Sequence, residues 1–70
     1  MTELAVCRAS RDGRVVAVVR AVEDFGGCRV ETEMPEGIAP PPYTCFDPRE
    51  ALAFLAEAAD TLTVLGCDVE

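Results

Sequence analysis

Cys7, Cys28, Cys45 and Cys67 are the side chains of this chain most able to do chemistry, and 20, 16 and 21 residues separate them in turn. Structural zinc sites draw their ligands as close pairs on a tight knuckle, and here there is no C-x-x-C and no His. The same gap removes a thioredoxin-like redox motif. Four cysteines without a secretory context read as reduced, buried thiols that act as small hydrophobes. Cys7 with Cys28, or a strand cysteine with Cys67, is geometrically open to bridging. Cys45 and Cys67 flank a candidate helix of about 18 residues, which holds its ends roughly 27 Å apart, too far for a bridge.

Other catalytic chemistry is thinly supplied. With no His and no Lys, the usual general base, the Schiff-base amine and the Ser–His and Cys–His pairs are excluded. Ser10 has no base near it in sequence. Carboxylates are plentiful, but Glu31, Glu33, Glu50 and Glu57 all map to polar faces, where nothing raises a pKa toward neutrality. The glycines match no phosphate loop. The expectation is a protein that is not an enzyme and has no metal or cofactor.

Six basic residues, all Arg, stand against thirteen Asp and Glu, a formal net charge of −7. A phosphate backbone repels such a chain, so direct nucleic-acid binding is not expected, whereas a basic protein partner is. No apolar run approaches the roughly 20 residues of a membrane span. The opening "MTELAVCRAS" lacks a basic n-region and a long apolar stretch, which reads as cytoplasmic. Residues 1–70 make a single domain near the lower size limit for a self-sufficient core, so a second copy or a partner is expected to complete it.

The elements that would position these groups follow from pattern. Residues 4–10 read as a strand, Asp12-Gly13 as a two-residue hairpin turn, and residues 14–22 as a second strand. "EDFGG" reads as a five-residue loop. Residues 28–34 alternate, with Cys28, Val30, Thr32 and Met34 on one face and Arg29, Glu31 and Glu33 on the other. Pro40, Pro41 and Pro42 favour an extended connector. "YTCF" is a candidate edge strand, and the final "CDVE" a candidate fourth one.

The helix has the clearest signals. Asp47 is a good N-cap, Pro48 suits the first helical position, and Glu50 completes a D-x-x-E capping box. Leu55 and Leu62 lie opposite the charged side, among alanines that permit close approach to a sheet. Gly66 ends the helix near Leu65. The fold class is therefore α+β: a three- to four-stranded antiparallel sheet with one C-terminal helix packed on one face.

One helix covers one face, yet "VVAVV" at residues 15–19 is apolar on both. The uncovered face is expected to meet a partner through Val15, Val19, Arg29, Glu31, Glu33 and Tyr43, in a homodimer or a hetero-complex. Strand register decides which residues those are. A two-residue first turn and a five-residue second loop put Ala5, Cys7, Ala9, Val16, Val18, Cys28, Val30 and Met34 on the helix side, with Arg20 among them. A one-residue change in the loop reverses the assignment, and the core face is then Leu4, Val6, Val15 and Val19.

From residue 14 to about 62, the order strand, "EDFGG", strand ending "EMPEG", linker and "FDPREALAFLAEAAD" resembles HicB-type antitoxin domains. That resemblance implies a partial RNase H-like fold that binds and masks a small basic RNase toxin. Residues 1–13, the "APPPY" linker and the lack of a following DNA-binding segment depart from the family pattern. The function expected is thus a small acidic protein-interaction domain of inhibitor or antitoxin type. A cysteine-based metal or redox module, and an acidic mimic of nucleic acid acting on a DNA-binding protein, are the alternatives.

Overall fold

Asp12 and Gly13 both take positive φ, 52° and 77°, the backbone twist a tight antiparallel hairpin needs. They join β1 (Thr2–Arg11) to β2 (Arg14–Asp24). Arg11 faces Arg14 and Ser10 faces Val15, but the register then slips, so that Ala9 faces Ala17. Val16 is the extra residue of a β-bulge. Past it, Cys7 faces Val19 and Ala5 faces Ala21. A second slip leaves Leu4 as the extra residue on β1, before Glu3 faces Val22.

The next reversal uses only Phe25 and Gly26, since Asp24 already faces Gly27 of β3 (Gly27–Glu33). The Asp24 carboxylate accepts the Gly26 N–H at 2.9 Å, a side-chain closure that shortens the loop. Gly27 has φ +115°, and a Cβ there would lie 2.9 Å from the Cys45 carbonyl oxygen. Only glycine fits that approach.

β4 (Tyr43–Cys45) pairs with β3, α1 (Pro48–Val64) follows, and β5 (Asp68–Val69) pairs with the turn end of β1. The computed structural model, which describes residues 1–70, is thus a five-stranded antiparallel sheet in the order β4-β3-β2-β1-β5 with one helix on it. Both candidate strands, at "YTCF" and "CDVE", pair, which takes the sheet past the expected three or four.

Asp47 caps α1 by accepting the Arg49 N–H at 2.9 Å. Its expected capping-box partner is engaged elsewhere: Glu50 accepts the Tyr43 hydroxyl at 2.5 Å, because β4 brings that tyrosine alongside the first helical turn. At the other end Gly66 takes φ +94°, and the Arg11 guanidinium donates to the Leu65 carbonyl at 2.6 Å. A cation from β1 so meets the negative end of the helix dipole.

The core lies between α1 and one sheet face. Cys7, Val19, Ala21, Cys28, Val30 and Ala51 are buried there, with Leu4, Tyr43, Leu55 and Leu62 packed around them. A smaller cluster, Ala9, Ala17 and Cys67, lies toward the first turn. Ala51 is fully buried, so the missing bulk of its side chain is what lets the helix approach. Only 10 of 70 residues are buried, a thin core at about 1.5–3 kcal/mol for a fully buried Val.

The expected helix-side face is right on β1 and for Val16, Cys28 and Val30, and wrong for Val18, Arg20 and Met34. Two local features reverse β2: the bulge at Val16 and a second turn of opposite parity. Met34 lies beyond the end of β3 and is 38% exposed.

Candidate functional site

The face of the sheet turned away from α1 carries no other element. Its side chains form rows set by the register. Glu3, Val22, Arg29 and Thr44 stand in one, Val6, Arg20 and Glu31 in the next, then Arg8, Val18 and Glu33, then Ser10 and Val15. β1 and β2 therefore supply the valines of this face, while β3 presents only charged side chains, Arg29, Glu31 and Glu33.

Arginines tie the rows together. Arg20 pairs with Glu33 and, at 3.6 Å, with Glu3; Arg29 pairs with Asp24 at 2.5 Å and Glu31 at 3.0 Å. The Arg29 guanidinium holds the Asp24 carboxyl below the usual range, helped by the Gly26 N–H. Asp24 and Glu31 in turn push Arg29 further up. Val22, between Glu3 and Arg29, is only 1% exposed. Its neighbours on this face, Arg20 and Arg29, have the long aliphatic stems that shelter a small side chain while their heads stay wet.

Val6 and Val15 have no such cover, at 47% and 37% exposed. Val18 is half-buried between Arg8 and Glu33. The open face is thus two uncovered valines in a frame of ion pairs in which carboxylates outnumber arginines.

Of the six residues expected to meet a partner, Val15, Arg29, Glu31 and Glu33 lie together on this face. Val19 does not: the bulge turns it under the helix, where it is 3% exposed. Tyr43 also lies on the helix side, at the sheet edge. Its ring stacks on Phe54 with centroids 4.2 Å apart, and Glu50, with burial second, pushes its hydroxyl pKa up. It is a packing residue that anchors β4 to α1. Val18 is on the open face only because of the same bulge, which the sequence does not show, whereas Val6 follows from the expected face of β1 and was left out of the six. The acids of α1, Glu50, Glu57 and Asp60, are exposed on the other layer of the molecule.

The largest concavity lies elsewhere, at the N-terminal end of α1. This cleft of about 630 Å³ is lined by Gly27, Cys28, Cys45, Phe46, Asp47 and Glu50, among others. Phe46 at its rim is almost fully exposed. All four cysteines are free thiols, three of them buried and Cys45 half-buried. No three His, Cys, Asp or Glu side chains gather closely enough to hold a metal ion, and no helix is long and apolar enough to cross a membrane. Compared with protein-family models, curated proteins and solved structures, the chain matches none.

Proposed function

We propose that the chain is a small non-enzymatic interaction domain that docks a basic protein on the sheet face opposite α1, as an inhibitor or antitoxin does. The observation that carries this reading is the two uncovered valines, Val6 and Val15, on a face where the carboxylates Glu3, Asp24, Glu31 and Glu33 stand against the arginines Arg8, Arg20 and Arg29. Apolar contact supplies the affinity that charge alone does not, and the carboxylates select a basic surface and speed its approach. The HicB resemblance over residues 14–62 belongs to the same reading, with a small basic RNase as the masked partner. Mimicry of nucleic acid is the weaker alternative, since Glu31 and Glu33 are separated by the whole sheet from Glu50, Glu57 and Asp60.

The test is capture of a partner from the source cells by the tagged chain, repeated with Val6→Asp plus Val15→Asp and, separately, with Glu57→Arg on the outer helix face. The expected outcome is a basic protein retained by the wild type and by the helix variant, lost by the double variant, and weakened by salt. Retention by a correctly folded double variant refutes the reading.

A further inference from the structure

Cys28 and Cys45 are direct cross-strand partners in the β3–β4 ladder, with both side chains on the helix side. Directly opposed residues in an antiparallel ladder have Cα atoms about 4.5–5.5 Å apart, inside the range a disulfide spans. The Cys28 thiol donates to Glu23 and to the Phe46 carbonyl, and the Cys45 thiol to the Asp47 carbonyl, so both sulfurs sit where β3 and β4 meet the start of α1. Both line the cleft beside α1, whose wall also holds Asp24, Asp47 and Glu50, with Arg29 the one cation among its residues. We propose that Cys28 and Cys45 form a dithiol site that is oxidised to a cross-strand disulfide by small disulfides, cationic ones in preference to anionic ones. This stands apart from the open face and does not depend on its role.

The exchange runs in two displacements. Cys45, the more exposed of the pair, gives up its proton to water, and its thiolate attacks one sulfur of the small disulfide. That S–S bond breaks, one thiolate leaves, and a mixed disulfide remains on Cys45. The Cys28 thiolate then attacks Cys45 Sγ, forming the protein disulfide and releasing the second small thiolate. The leaving thiolates take up the two protons. One small disulfide is reduced to two thiols while two protein thiols become one bridge.

The environment sets the rate and the preference. Burial pushes both thiols up, with Glu23 adding to Cys28 and Glu50 to Cys45. Thiolate is therefore scarce at neutral pH, and the exchange quickens as pH rises. The same carboxylates, on a chain of net charge −7, attract a cationic reagent and repel an anionic one. Once formed, the bridge closes a loop of 16 intervening residues that contains the proline connector, and it fixes β4, a strand of only three residues.

The experiment treats the reduced full chain with cystamine, a diamine disulfide, and in parallel with oxidised glutathione, at mildly alkaline pH. Intact mass and peptide mapping of the wild type provide the readout, so the assignment does not rest on a variant that folds poorly. The expected product has lost two hydrogen atoms and carries a Cys28–Cys45 link. It forms several-fold faster with cystamine, and it melts roughly 10 °C higher. Cys28→Ala stops at a stable cysteamine adduct on Cys45. A persistent adduct on the wild type, a bridge through Cys7 or Cys67, or an equal or faster reaction with oxidised glutathione overturns the proposal.

Discussion

Cys7 stands directly across the ladder from Val19, one residue out of step with the partner that a regular hairpin from Asp12-Gly13 would give it. Everything on β2 beyond the bulge takes its face from that displacement. It puts Val19 and Ala21 under α1 and sends Val18 and Arg20 to the open side.

Because Val16 is the surplus residue, deleting it leaves Ser10 opposite Val15 and Ala9 opposite Ala17. The shortened chain is expected to fold, at a cost of about 1–2 kcal/mol for the lost packing of Val16 on the Ala9–Ala17–Cys67 cluster. Deleting Arg29 instead has no bulge to absorb it, reverses one end of β3, and is expected to abolish cooperative unfolding. Urea denaturation followed by circular dichroism separates the two cases.

Much of the architecture is legible in residue types alone. The paired positive-φ turn at Asp12-Gly13, the alternation from Cys28 to Thr32, and the Asp47-Pro48 start and Gly66 end of the helix each have a local cause that no tertiary contact overrides. The open face is less legible, because it depends on parity. One bulged valine and one side-chain-closed turn each reverse the strand between them, and neither has a strong signature in a run of valines. Tyr43 was placed on the open face for another reason: an aromatic that follows three prolines gives no sign that a phenylalanine eleven residues on will stack on it.

Ala51 reports how closely the helix sits. Enlarging it to Leu forces the helix off the sheet and is expected to cost about 1–3 kcal/mol in urea unfolding. Leu at Ala53, which is exposed, is expected to change stability by less than about 0.5 kcal/mol.

Asp47 makes stability depend on acid. Its carboxyl is held below the ordinary 3.8, first by the Arg49 side chain and then by the Arg49 N–H. A group depressed in the folded state adds stability above its unfolded pKa and loses it as pH falls through the folded one. The wild type is therefore expected to lose part of its thermal stability below about pH 4. Asp47→Ala melts roughly 5 °C lower at neutral pH, and the gap narrows at low pH. Melting curves at several pH values, with Asp24→Asn as a second depressed carboxyl, check the sign.

Arg20 is valuable for what it keeps apart more than for its ion pairs. Arg20→Met retains an aliphatic stem over the sheet and removes partly exposed pairs with Glu3 and Glu33. The expected stability change is less than about 1 kcal/mol. Without the guanidinium the valine rows become continuous, so stronger binding of an apolar dye and a larger mass by light scattering are expected.

The role of the open face is most directly tested by site-specific photocrosslinking in the source cells, with the photoreactive residue placed at Val15 in one strain and at Glu57 in another. The account predicts a discrete adduct with a basic protein from position 15 and none from position 57. Adducts from position 57 alone, or an unmodified chain at position 15, would contradict it.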